Sequence, residues 1–194
     1  MYATNVSARS RHLVANLLTC CNFSCGIAAI FLPGGTTPAR RSTFILLGAL
    51  CDSLDGSLAR DSGHPTRLGA WADGISDAVT CGVAPAVILA SSRPSPPTRL
   101  SSVAPAAYLG AIAWRIWRFG IGPRTSHSFR GLPVTGAGML FALGCQMRVS
   151  ARTRTNWALA LVVAMASPIH VLSGEALLAR MVKRTPSSKW PSSV

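Results

Sequence analysis

Six acidic residues occur in the chain, and five of them, Asp52, Asp55, Asp61, Asp73 and Asp77, fall between positions 52 and 77, with Glu175 alone outside. Asp52 and Asp55 stand three apart and Asp73 and Asp77 four apart, so on helices each pair shares one face. The short segment from Arg60 to Arg67 is a turn that brings the two pairs face to face. Ionised carboxylates in an apolar setting are costly unless a counter-charge meets them. A divalent cation is the economical counter-charge. All-oxygen ligands suit magnesium, manganese or calcium, and the scattered His and Cys residues argue against zinc. Two ions sharing the four carboxylates is the arrangement expected. Taken singly, each aspartate would more often cap a helix end or pair with Arg60 or Arg67. Gly56, Ala59 and Gly69 on the same turns favour the metal reading, because small residues beside a carboxylate cluster leave room for a bulky phosphate-bearing ligand.

The elements that must carry these residues are apolar. The composition is 49% hydrophobic and 13% charged, too apolar for an ordinary soluble domain of this size. Six runs approach the length of a bilayer span: Leu13 to Leu32, Ser42 to Ala59, Leu68 to Ala90, Val103 to Trp117, Leu132 to Met147 and Asn156 to Leu178. Short polar segments rich in Pro, Gly and Arg separate them, which predicts sequential antiparallel hairpins. The fold class expected is an all-α integral membrane protein, a six-transmembrane-helix bundle forming a single domain over 1–194. Both termini then lie on one side. With that side cytoplasmic, it collects 12 of the 19 Lys and Arg residues, the bias of the positive-inside rule.

The net charge of +13 lies mainly between the apolar runs, where it meets anionic lipid headgroups; no aromatic-interleaved basic platform appears, and no nucleic-acid partner is expected. Cys20, Cys21, Cys25, Cys51, Cys81 and Cys145 lie in or beside apolar runs without a CxxC pair, and read as small buried packing residues. Arg9 and Arg11 before the first run resemble a signal peptide, but no cleavage site follows before Pro33 and the run is long enough to span.

The stretch Asp52-Ser-Leu-Asp55-Gly56-Ser-Leu-Ala59-Arg60, followed by Gly69, Asp73 and Asp77, resembles the signature of the CDP-alcohol phosphatidyltransferases at every fixed position. The resemblance implies a six-helix membrane enzyme, often a homodimer, with Mg2+ or Mn2+ bridging the aspartates and the diphosphate of a CDP-linked lipid on the cytoplasmic side. It assigns Asp52, Asp55, Asp73 and Asp77 as metal ligands, with Asp77 also a candidate base. It places Gly56, Ala59 and Gly69 in the nucleotide site and Arg60 near the phosphates. The chemistry suits these residue types: displacing CMP from a diphosphate requires charge neutralisation, alignment and removal of one proton.

Three further stretches are similar to the phosphatidylserine synthase branch of that family: Asn16-Leu-Leu-Thr19-Cys-Cys-Asn22, Ser76-Asp77-Ala-Val-Thr-Cys81-Gly82-Val-Ala-Pro85-Ala, and Arg115-Ile-Trp-Arg118-Phe119 with Gly131-Leu-Pro133. Ala15, Cys81 and Gly120 depart from the branch, which commonly has Pro, Phe and Asn there, and Val134 to Gly138 is only loosely similar. The expected reaction transfers phosphatidyl from CDP-diacylglycerol to L-serine, giving phosphatidylserine and CMP. Arg115 and Arg118 are the expected holders of the serine carboxylate. Glycerol phosphate, inositol phosphate or another small alcohol are the alternative acceptors. A divalent-cation channel or transporter also explains carboxylates in spans, but not Gly56, Ala59, Arg60 and Gly69 at their spacing.

Overall fold

The computed structural model describes residues 2–33, 35–61, 67–119, 128–130, 132–167 and 170–172; the side chains of Asp55 to Leu68 lie outside that description. Among the described residues there are six helical stretches. They are α1 (Tyr2–Phe31), α2 (Pro38–Asp61), a continuous stretch of α3 (Arg67–Asp77), a π-helical segment (Ala78–Val83) and α4 (Ala84–Ser91), then α5 (Arg99–Phe119), α6 (Val134–Gln146) and α7 (Ala151–Ala166). Two three-residue strands, β1 (Ser128–Arg130) and β2 (His170–Leu172), pair antiparallel with Phe129 opposite Val171.

Local chemistry sets the helix starts. Thr37 Oγ1 accepts from the Arg40 amide just ahead of Pro38, so proline occupies the first helical position, where no amide hydrogen is needed. Thr98 and Ser101 exchange backbone-to-hydroxyl hydrogen bonds of 3.0 and 3.1 Å, a capping box at the start of α5. Ser150 Oγ accepts from the Thr153 amide at 3.1 Å and starts α7.

The last helix is shorter than the run Asn156 to Leu178 predicts. It stops at Ala166, with Ser167 extended at φ −62 and ψ 140, because Pro168 follows and the residue before a proline avoids the helical region. The chain then enters β2, which the apolar pattern did not distinguish from helix. Pro85, by contrast, occupies the first turn of α4.

α1 packs along α2, α2 against α6, and α5 against α4 and α7, while the π-helical segment touches α1, α3, α4 and α6. Around it lies the core of Ile45, Ile88, Tyr108, Phe141 and Met165, with the Tyr108 and Phe141 rings 5.9 Å apart. Cys81 and Cys145 are buried there as expected, but Cys20 and Cys21 are exposed. Among the described residues, one stretch, Trp71–Ser91, is both long and apolar enough to cross a membrane; Asn16–Phe31 and Val134–Gln146 are apolar but shorter.

Candidate metal centre

Asp73 and Asp77 lie four residues apart near the end of α3, and Asp52 lies on α2. The two helices bring one carboxylate oxygen from each of the three to within 4.8 Å of the others, with all three side chains half-buried. Of the four aspartates predicted as ligands, the structure therefore gathers three. The side chains of Asp55, Gly56, Ala59 and Arg60 are outside the described residues, although their backbone forms the last turns of α2; Gly69 lies on the first turn of α3.

The donor set fits a hard divalent cation. Oxygens on opposite sides of a magnesium ion lie about 4.2 Å apart, twice the usual metal–oxygen distance. Three oxygens spread over no more than 4.8 Å reach that spacing by small side-chain rotations. All three side chains keep part of their surface exposed.

Asp77 is held from two other helices. Asn22 Nδ2 on α1 donates to its Oδ1 at 3.2 Å, and Thr135 Oγ1 on α6 donates to its Oδ2 at 2.9 Å. Asn22 is fully buried, and its own carbonyl accepts from Thr80 Oγ1 at 2.9 Å. The Asp77 carboxylate thus joins α3 to α1 and α6, and the π-helical segment is tied to α1 at the Asn22 backbone.

The π-helical segment begins immediately after Asp77. Such a wide turn changes the direction in which the preceding and following residues point, and it recurs at functional sites. Tyr108 Oη donates to the Cys81 carbonyl within it at 3.3 Å, satisfying a buried acceptor. Glycines let the neighbouring helices come close. A Cβ on Gly48 would stand 2.7 Å from Asn22 Oδ1 and 2.7 Å from Thr80 Cγ2. One on Gly138 would stand 2.7 Å from the Cys81 Cα, which is backbone and cannot turn aside.

Gly138→Ala is therefore expected to destabilise the protein by about 1–3 kcal/mol, the usual cost of overpacking. Gly110→Ala, with nothing within 4 Å of the added carbon, is expected to be neutral or slightly stabilising. Thermal unfolding of the two variants in one detergent checks this, and equal midpoints would contradict the packing account.

Arg115 and Arg118, the predicted acceptor ligands, sit on the last turns of α5. Arg115 is 6% exposed, and its Nη1 donates to the Met165 carbonyl of α7 at 3.5 Å. Arg118 is exposed, with its guanidinium carbon 5.1 Å from the centre of the Trp114 ring, a cation–π distance.

In the sequence, Asn22 stands within a helix motif and Thr135 within a stretch only loosely similar to the family branch, and spacing assigns a role to neither. A signal existed for Asn22, since an amide within an apolar run must find a polar partner. For Thr135 there was none, because its partner lies 58 residues away.

Comparison with known proteins agrees with the geometry. Residues 12–185 match the family described as CDP-alcohol phosphatidyltransferase. A CDP-diacylglycerol–serine O-phosphatidyltransferase of Methanocaldococcus jannaschii is 33% identical over 141 residues, 73% of this chain and 64% of that protein. One from Helicobacter pylori is 28% identical over 134 residues, 68% of this chain and 56% of that protein. An archaetidylserine synthase of Methanothermobacter thermautotrophicus is 32% identical over 121 residues, 61% of this chain and 52% of that protein. The chain thus spans between 52% and 64% of the length of these relatives.

Proposed function

The chain belongs to the CDP-alcohol phosphatidyltransferase family, and from that premise we propose that it transfers a phosphatidyl group from CDP-diacylglycerol to L-serine, releasing CMP. The observation that carries this reading is the convergence of Asp52, Asp73 and Asp77. Relatives named for serine transfer support the acceptor.

With Asp55 as the fourth ligand that the family resemblance assigns, these carboxylates would hold one or two Mg2+ or Mn2+ ions, which supply charge neutralisation on the diphosphate and on departing CMP. The chain's own residues do the rest. Asp77, its carboxylate fixed by Asn22 and Thr135, accepts the proton of the serine hydroxyl. The hydroxyl oxygen bonds to the phosphorus that carries diacylglycerol, and the bond from that phosphorus to CMP breaks. Gly56, Ala59 and Gly69 leave space for the nucleotide, and Arg60 meets the phosphates.

A membrane setting with several spans, and with termini and site on the cytoplasmic side, is part of the same reading. Its support is the wide scatter of exposed apolar side chains, such as Leu17, Phe31, Leu50, Val103 and Val163, which a lipid phase would cover.

Purified protein in detergent, given CDP-diacylglycerol, Mg2+ or Mn2+ and a panel of alcohols, tests the proposal. Serine-dependent CMP release is expected. Release only with glycerol phosphate, inositol phosphate or another alcohol replaces the acceptor, and cation flux through vesicles without CMP release replaces the reaction.

Arg118→Ala is expected to raise the KM for serine at least about tenfold while changing that for CDP-diacylglycerol little, since a lost charge-assisted contact to the carboxylate touches one substrate only. Arg115→Ala is expected to do the same with an added loss of stability, because its guanidinium is buried against α7. Steady-state kinetics with each substrate varied in turn checks both. An unchanged serine KM in the two variants removes them from the acceptor pocket.

A further inference from the structure

We propose that Thr135 is a positioning residue for the Asp77 carboxylate, an inference that rests on the reading of Asp52, Asp73 and Asp77 as a metal centre. Hydroxyls within helices usually bond back to a carbonyl of their own helix, and this protein follows that habit. Ser24 donates to the Cys20 carbonyl, Ser53 to Ala49, Ser76 to Ala72 and Thr155 to Ala151. Thr135 departs from it. It stands in the first turn of α6 with Pro133 as the cap, too early for its own helix to offer a carbonyl four residues back. Its hydroxyl is spent across the bundle, on Asp77 Oδ2 at 2.9 Å.

A second departure supports the same point. Thr80 Oγ1 donates not to its own helix but to the Asn22 carbonyl, and Asn22 in turn donates to Asp77 Oδ1. These two hydroxyls bear on one carboxylate, Thr135 directly and Thr80 through the backbone of Asn22, while Ser76 Oγ adds a 3.4 Å contact to the Thr19 carbonyl of α1 beside its own-helix bond. An aspartate on a helix has free rotation about its side-chain bonds, and α3 alone does not fix where its oxygens point. Donors from α1 and α6 on opposite oxygens do fix it. Asp77 then keeps an oxygen within 4.8 Å of those of Asp52 and Asp73. Groups that orient a metal ligand in this way typically carry about 10- to 100-fold in metal affinity or activity. The end of α6 that carries Thr135 is also its N-terminus, where the helix dipole favours a negative group.

The test uses the full chain in detergent, with Thr135→Val and Thr135→Ala to remove the hydroxyl and Thr135→Ser to keep it. Two readouts are taken: Mn2+ affinity from the electron paramagnetic resonance of free Mn2+, and CMP release with CDP-diacylglycerol and serine varied separately. Thr135→Val and Thr135→Ala are expected to weaken Mn2+ binding about tenfold and to lower kcat about tenfold, with the KM for CDP-diacylglycerol within about twofold of wild type. Thr135→Ser is expected to stay close to wild type in both readouts. A merely structural role would make Ser as harmful as Val or Ala, and that result overturns the proposal. So does unaltered Mn2+ binding in Thr135→Val and Thr135→Ala. If the wild type binds Mn2+ but releases no CMP with any alcohol, the proposed reaction fails while the Mn2+ titration still decides Thr135. If the wild type binds Mn2+ no better than Asp52→Asn, the metal centre falls and this inference with it.

Discussion

Asp52→Asn or Asp73→Asn is expected to lower CMP release about a thousandfold without unfolding the protein. The two carboxylates lie on different helices and meet within 4.8 Å, so each supplies a charge that the other cannot. Asparagine keeps the shape and one oxygen but removes the negative charge that a divalent cation needs. Loss of a direct ligand removes several kcal/mol of transition-state stabilisation, and each factor of ten in rate corresponds to about 1.4 kcal/mol. Both side chains are half-buried, so the neutral amide pays no large penalty for its place and the unfolding midpoint is expected to stay within a few degrees. Chelation of divalent ions in the wild type is expected to give the same loss, with recovery on adding Mg2+ or Mn2+. Near wild-type turnover in either variant, with the midpoint unchanged, would sink the metal assignment.

Asp77→Asn is expected to separate binding from transfer. If Asp77 takes the acceptor proton, an amide in its place has no basic oxygen of comparable strength, and transfer is expected to fall about 100- to 10,000-fold. Binding of the CDP-lipid is expected to survive in measurable degree, because Asp52 and Asp73 remain. The surroundings of Asp77 admit the amide. Asn22 offers only a donor there, so it keeps the carbonyl oxygen of the new residue, while the Thr135 hydroxyl can turn and accept from the new NH2 group. Both contacts seen at 3.2 and 2.9 Å therefore have a replacement. Comparing CDP-lipid binding with single-turnover transfer checks the split. A proportional fall in both would make Asp77 a ligand and not the base.

Much of this was legible before any coordinates, for reasons that are local. An interval of four between Asp73 and Asp77 places both on one helical face wherever that helix goes. Apolar runs and the Pro, Gly, Ser and Thr residues between them marked the helical stretches, but α5 and α7 begin earlier than the runs from Val103 and Asn156 predict, at Arg99 and Ala151, because Thr98 and Ser150 cap them. The rarity of acidic residues made their clustering meaningful, because a chain with so few carboxylates does not crowd them by accident against the cost of repulsion. These signals need only the identity of near neighbours in sequence.

The tertiary structure decided what depends on which helices touch. It joined Asp77 to Asn22 across 55 residues and to Thr135 across 58, contacts that no spacing rule contains. It placed a π-helical segment directly after Asp77, stabilised by Tyr108 and by the close approach that Gly48 and Gly138 permit. It also turned the last apolar run into a shorter helix and a strand, since β2 pairs with β1, some 40 residues earlier. Periodicity tells a side chain which face it occupies, but the orientation of a carboxylate is fixed by donors from other elements. Those donors are set by the packing of surfaces distant in sequence, where the free energy belongs to pairs of helices and not to either one alone.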